Sequence, residues 1–324
     1  MTERGVLTWL AAAAVAWVGN GVALSQTYPA KAVHLIVAAA PGGTTDVLGR
    51  MLAQRLGERL GQSFITENRG GAAGVIAADL IAKAPADGYT LLMTNDQLVV
   101  QASAASKLPY DPLKDFAPVG IMARGPVVLG VHPGIPAHSV SELVAMVRAQ
   151  PGKFAFSSCG NGTVLHLAGE LLNLAAGIDL AHVPYRGCAP AMADAVSGQV
   201  PIFFTVLGNA APFEKTGRVR LLGVASLRRL GSHPNLPTIA EAGFPGYDAF
   251  PWFGLLAPAA IPREIVGRLS AEIAAAVAAP EVNDKIRSFY LEPATATPEA
   301  FADIMKNDLA RWKRVVREAK IKID

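Results

Sequence analysis

Two spacings of apolar residues alternate along most of this chain. Compact apolar runs at 33–38, 63–68 and 90–94 have the length of strands. Between the first two, Val47, Leu48, Met51, Leu52, Leu56 and Leu60 recur three and four residues apart, which predicts a helix over 46–60. An Ala-rich stretch predicts a second helix over 73–84, and Asp87-Gly88 marks a turn before the third strand. A β-α-β-α-β order of this kind calls for a parallel sheet with right-handed crossovers.

A proline-bearing connection at 108–118 leads to a mostly apolar run at 119–131. It reads as a strand crossing between lobes, interrupted at Arg124-Gly125-Pro126. The alternation then restarts with helix 139–149, strand 154–158, helix 163–176, strand 180–185, helix 189–197 and strand 202–206. A short helix near 211–216 and strand 219–225 complete this unit. A capped turn or short helix at 237–243 precedes a second apolar strand, 250–257, placed to cross back. The C-terminus is helical over 262–279, 281–288 and 298–319, and Thr297-Pro298-Glu299 is a good helix start. The predicted class is therefore α/β with two lobes, each a mostly parallel sheet flanked by helices, joined by two crossing strands. Lobe one would hold residues 26–125 and 250–324, and lobe two the inserted residues 126–249.

Residues 1–25 break from that pattern. Arg4 stands before an apolar stretch at 6–18, and Ala23-Leu24-Ser25 places small residues before Gln26. This reads as an export signal cleaved near Ser25, with a periplasmic product. A retained anchor is the alternative, but the apolar run is short for a span and Gly19, Asn20 and Gly21 follow it. Removing 25 of the 324 residues leaves 299, enough for two domains with separate cores. The leader contains one Glu and one Arg, so the net charge stays at +3. With charged residues at 17% and no basic run interleaved with aromatics, nucleic acid is not an expected partner.

Two stretches carry candidate chemistry. In each, a strand runs into a Gly-rich turn and then a helix: 33–38 into Ala-Ala-Pro-Gly-Gly-Thr-Thr at 39–45, and 154–156 into Ser-Ser-Cys-Gly-Asn-Gly-Thr at 157–163. Such turns present unpaired backbone N–H groups, and the helix dipole favours an anion at the same point. Two of these cups in one chain suggest one ligand gripped from two sides. Cys159 and Cys188 follow strands expected to be parallel neighbours, and an even cysteine count in an exported chain favours a disulfide. No C-x-x-C, H-E-x-x-H or carboxylate cluster has metal-ligand spacing, and the six histidines are scattered, so no metal or cofactor is expected.

The segments PGGTTDVLGRMLAQRLGE, ENRGGAAGVIAADLIAKAPADGYTLL, SSCGNGTVLHLAGELL, HVPYRGCAPAMADAVSGQV and LPTIAEAGFPGYDAFPWFGLLAPAAIP resemble one family, as does the tail at 297–312. It is the substrate-binding proteins of tripartite tricarboxylate transporters, also called Bug proteins. The resemblance covers roughly residues 28–317. It implies a type II periplasmic-binding-protein fold that closes on a small carboxylate, using the loops at 40–46 and 157–163. It also implies two integral-membrane subunits as transient partners. Cys159 and Cys188 stand where many relatives carry Gly or Ser, a paired departure that supports a disulfide beside the pocket.

On this reading Gly42 and Gly43 let the backbone approach a ligand, the alternative being a tight turn alone. Thr44 and Thr45 offer hydroxyls or cap the helix, and Asp46 is expected to cap. Ser157, Ser158, Asn161, Gly162 and Thr163 offer neutral donors around the second turn. His166 reaches the cleft or packs behind it. Asn95, Asp96 and Gln97 are expected to face the cleft, and Arg186 to pair with a carboxylate or point to solvent. Trp252 and Phe253 read as core or hinge. Thr205 is the expected contact for the ligand's second polar end. Because Thr205 is not acidic and would not hold an ammonium group, a dicarboxylate or aromatic carboxylate is favoured over an amino acid.

Enzymatic readings are weaker. Cys159 at a strand-to-helix turn, with His166 or His182 as base, suits a nucleophile, but no hydrolase signature surrounds it. There is no G-x-S-x-G, and the loop at 41–46 lacks the Lys-Ser/Thr of a P-loop. A monomeric binding protein with no enzymatic activity is expected, delivering its ligand to a transporter. A carboxylate sensor docking on a signalling partner would use the same clamp.

Overall fold

All residues of β1 (Val33–Val37) are buried except His34, as a strand covered on both faces requires. In this computed structural model, which describes residues 28–321 apart from residue 106, β1 lies inside a six-stranded sheet. Its parallel neighbours are β2 (Phe64–Asn68) and β3 (Thr90–Asn95). Beyond β3 come β10 (Trp252–Pro258), β4 (Phe116–Arg124) and β11 (Glu292–Pro293), each antiparallel to the strand before it.

The second sheet has five strands, in the order β7 (Ala181–Pro184), β6 (Ala155–Ser158), β8 (Ile202–Val206), β5 (Val127–Val131) and β9 (Arg220–Val224). Here β6 runs parallel to β7 and β8, while β5 runs against β8 and β9. The chain passes between sheets twice: from β4 to β5 through Gly125-Pro126, and from β9 to β10. Gly125 N–H donates to Pro251 O at 2.9 Å, which ties the two crossings together.

Ten helices cover the described part of these sheets: α1 (Thr44–Leu60), α2 (Val75–Ala82), α3 (Gln97–Ala104), α4 (Val140–Ala149), α5 (Val164–Ala176), α6 (Cys188–Ser197), α7 (Leu207–Glu214), α8 (Arg263–Ala278), α9 (Pro280–Ser288) and α10 (Pro298–Glu318). Gly61 stops α1 in the left-handed conformation, returning its N–H to Gly57 O. Ser139, Thr163 and Thr297 cap α4, α5 and α10 through their hydroxyls. A Cβ on Gly169 of α5 would sit 2.2 Å from the Phe156 ring. Its absence lets α5 seat directly on β6, and so places the turn between them. The long α10 packs on α3 and β4 of one sheet and on α5 of the other. Its Phe301 meets Trp252 edge-on at 4.8 Å.

Two helices depart from the apolar pattern. Helix α3 is not announced, because Leu98, Val99 and Val100 are all buried and leave no amphipathic stripe. Helix α7 begins at Leu207, earlier than expected, and carries Pro212 inside it instead of at its start. The export signal expected over 1–25 lies outside the described residues. Among those described, no helix is long and apolar enough to cross a membrane.

Candidate functional site

The turn after β1 is held open by an acid. Gly42 adopts φ +82°, and its N–H donates to Asp46 Oδ2 at 2.8 Å. Asp46 also accepts from Asn68 Nδ2 at 2.8 Å and from Arg50 Nε at 3.0 Å. Burial alone pushes its pKa up, but the hydrogen bonds from Gly42, Asn68 and Arg50 outweigh it and hold the carboxyl below its ordinary value. Asp46 lies inside the first turn of α1 and braces the loop, while the cap position falls to Gly43, which has no side chain to offer. Thr44 is exposed; Thr45 is buried and accepts from Asn95 Nδ2 at 3.3 Å.

Around the second turn, most of the polar side chains hold the loop itself. Thr163 Oγ1 donates to Gly160 O at 2.9 Å and accepts from His166 N at 3.3 Å. Ser158 Oγ bonds Gly160 O at 3.1 Å and lies 2.7 Å from His182 Nε2. Gly162 turns the chain at φ +65°, and its N–H donates to His166 Nδ1 at 3.2 Å. His166 is 4% exposed and stacks on His182 at 3.7 Å, so it packs behind the turn. Burial, with the His166 ring beside it, pushes His182 down to about 3, so that ring is neutral at physiological pH. Ser157 is fully buried and its Oγ has no partner among the described residues.

Cys159 and Cys188 form a disulfide with Cα atoms 4.4 Å apart. The bond follows from β6 and β7 being parallel neighbours. It removes the thiolate that a Cys159 nucleophile would need. Thr205 is buried behind it, 3.8 Å from Cys159 Sγ and accepting from Asn209 Nδ2 at 3.2 Å. The loop carrying Arg186 is pinned alongside: Tyr185 N–H donates to Ser158 O and Gly187 N–H to Cys159 O, both at 3.1 Å. Arg186 is exposed and forms no ion pair among the described residues.

The two turns are joined. Gln97 Nε2 donates to Gly162 O at 3.0 Å, and Gln97 N–H donates to Asn95 Oδ1 at 3.0 Å. Asn95 in turn reaches Thr45, so a line of hydrogen bonds runs from the first helix N-terminus to the second turn. Both turns follow the strand at which each sheet's order reverses, β1 between β2 and β3 and β6 between β7 and β8, the usual place for a ligand in open α/β sheets. Asp96, expected at the cleft, turns inward and is 6% exposed. Burial, then the Asp308 charge, push it up to about 8. Trp252 is fully buried and donates to Asp308 Oδ2 at 3.2 Å.

Asn68 and Asn209 were not singled out in the sequence, and His182, considered there only as a base for Cys159, instead supports the second turn through Ser158 and His166. Asn68 ends β2 on the same sheet edge as Asn95, and that edge position is the one available signal. No group of His, Cys, Asp and Glu among the described residues is arranged to hold a metal ion.

The profile of the tripartite tricarboxylate transporter family receptor matches residues 48–321. A Pseudomonas protein encoded in the tcbD-tcbE intergenic region is 37% identical over 313 residues, covering 93% of each chain. A solved R. palustris structure with adipate aligns with a TM-score of 0.76 at 36% identity, covering 91% of this chain and 99% of the other. MatC from Rhodopseudomonas palustris with bound malate aligns with a TM-score of 0.71 at 31% identity, covering 89% and 100%.

Proposed function

Because this chain belongs to the tripartite tricarboxylate transporter receptor family, which consists of binding receptors and not enzymes, we propose that it captures a small organic carboxylate and delivers it to a transporter. Its fold is the two-lobed α/β clamp of periplasmic binding proteins. We assign residues 26–125 and 250–324 to one lobe and 126–249 to the other. The protein is exported, loses its leader near Ser25 and works as a monomer in the periplasm, meeting two membrane subunits transiently.

The line Thr45–Asn95–Gln97–Gly162 carries this reading, because it brings two helix N-termini to one cleft. A carboxylate bridging the turns gains backbone N–H donors from both, and so stabilises the closed arrangement by its differential contacts. Gly42, Gly43, Thr44, Asn161, Gly162 and Thr163 surround that position, with Arg186 at the lip for a second carboxylate, while the buried Ser157 and Ser158 shape the second turn from within. His166 and Thr205 act from behind, as supports of the second turn.

The ligand class favoured is a dicarboxylate or aromatic carboxylate. An amino acid needs a carboxylate for its ammonium, and the acids nearest the turns are engaged. Asp46 is bonded to Gly42, Asn68 and Arg50, and Glu170 stands 3.7 Å from His166. Adipate in one similar structure and malate in another support the dicarboxylate class.

The test is a thermal-shift screen of unfolded and refolded protein against adipate, malate, benzoate and glutamate. A ligand at about 100 times its Kd stabilises by about 2.7 kcal/mol. A shift with a dicarboxylate or an aromatic carboxylate, and none with glutamate, is expected, and the reverse order overturns the ligand class. Asn161→Ala is expected to weaken binding without unfolding the protein. Unchanged affinity by calorimetry would remove the second turn from the site.

A further inference from the structure

A cavity of about 520 Å³ lies across the crossing strands from the two turns. Its walls come from the end of β4 and from β11, which sit beyond β10 in the first sheet, and from the segment after β9, which sits beyond β5 in the second. It therefore lies between the sheets, as the cleft does, but behind the hinge. Its volume falls in the range of small-molecule sites.

The charges around it are unevenly compensated. Asp248 pairs with Arg311 at 3.2 Å, Glu292 with Arg287 at 3.3 Å, and Arg229 with Glu241 at 2.9 Å. Arg124 and Arg228 also line the cavity, and neither forms an ion pair among the described residues. Arg124 is fixed in place: its Nε donates to Phe250 O at 3.1 Å and its guanidinium lies 4.6 Å from the Phe250 ring centre. Apart from Ser226 the remaining wall is apolar, with Leu227, Leu230 and Pro293, and Leu227 is 61% exposed.

We propose that this cavity is a second binding site, for a small monoanion with an apolar body, of which an aromatic monocarboxylate is the simplest. The carboxylate pairs with Arg124 and Arg228, the lining cations left without an ion pair, while the lining acids Asp248 and Glu292 are held by Arg311 and Arg287, and the ring packs against Leu227, Leu230 and Phe250. A fixed guanidinium reduces the ordering cost of binding. Because the walls belong to both sheets, an occupant favours the present arrangement, in which Gln97 already touches Gly162. Occupancy of the rear site and of the cleft is then reciprocally coupled.

The experiment is a fluorine NMR titration of the protein with 4-fluorobenzoate, comparing wild type with Arg228→Gln at the rear and Arg186→Gln at the cleft lip. Both arginines are exposed, so both variants are expected to fold. The expected result is binding to wild type with ring contacts to Phe250 and Leu227, and about a tenfold loss in Arg228→Gln of the affinity read from those contacts, a change in Arg186→Gln reporting only on probe in the cleft. No binding at millimolar probe, ring contacts to the two turns in place of Phe250 and Leu227, or an affinity that Arg228→Gln leaves unchanged, overturns the rear site. The cleft reading is tested separately by Asn161→Ala, which lies on the second turn and does not line this cavity.

Discussion

Gln97 Nε2 donates to the carbonyl oxygen of Gly162 at 3.0 Å, so a side chain positioned by the first sheet ends on a turn built by the second. Gly162 is held from the other side as well, its N–H bonded to His166 Nδ1 at 3.2 Å. Both polar groups of that peptide position are thus engaged before any ligand arrives. The bridge biases how far apart the two turns stand.

Removing the bridge is expected to weaken binding by loosening closure. Gln97→Ala deletes one hydrogen bond with a net value of about 0.5–1.5 kcal/mol, or roughly a 2–10-fold loss of carboxylate affinity. The side chain is only half-buried, so the midpoint of chemical denaturation hardly moves. Small-angle scattering of the ligand-free variant is expected to show a larger radius of gyration. Unchanged affinity and radius would mean the contact does not bias the lobes.

His166→Leu is expected to damage the second turn without touching the ligand. It leaves the buried Gly162 N–H without its acceptor, at a cost of about 1–3 kcal/mol. It also removes the ring stacked on His182. Urea denaturation reads the stability and calorimetry the accompanying loss of affinity. A variant as stable as wild type would show that the turn holds without this bond.

The Cys159–Cys188 bond closes a loop with a sequence separation of 29. In the chain-entropy model such a loop contributes about 3–4 kcal/mol. Replacing both cysteines by serine is expected to lower stability by that order and to loosen the loops bearing Ser158 and Arg186. Thermal unfolding with and without reductant checks it, the double variant being insensitive to reductant.

The half-buried His182 and the buried Asp96 give opposite pH dependences. His182 is pushed down from 6.5 to about 3, so the unfolded chain binds more protons between those values. Its contribution is present above about pH 6.5 and lost as the pH falls towards 3. Asp96 is pushed up from 3.8 to about 8, so the folded chain holds the extra proton there. That contribution is complete below about pH 4 and is lost as the pH rises through 8.

Asp96→Asn is therefore expected to flatten the decline in stability between pH 5 and 8 and to raise stability at pH 8, on the order of 1 kcal/mol. His182→Phe should instead flatten the decline below about pH 6.5. Denaturation midpoints across a pH series separate the two. Equal slopes in Asp96→Asn and wild type would show that Asp96 is not the group responsible.

Apart from α3 and the two-residue β11, the order of elements and the places of the turns were legible in the sequence, because both depend on local chemistry. The apolar period over 46–60 and the strand runs at 33–38 and 202–206 reflect faces that any folded chain must cover, and α1, β1 and β8 lie there. The pairing of Cys159 with Cys188 was legible for a related reason. Two parallel neighbouring strands release their chains at one sheet edge, whatever the rest of the fold does.

Where side chains point was decided only by tertiary packing. Asn95, Asp96 and Gln97 are consecutive, yet Gln97 reaches Gly162 while Asp96 enters the core near Asp308. Nothing in three adjacent polar residues distinguishes them. Helix α3 was hidden because burial of Leu98, Val99 and Val100 erases the polar face that marks a helix in sequence. Thr205 read as a ligand contact and His166 as either a contact or a packed residue; both are buried, His166 stacked on His182 and Thr205 bonded to Asn209 behind the disulfide. Periodicity reports which face of an element is covered. It carries no information about which distant loop completes the cover, and here that choice sets the geometry of the cleft.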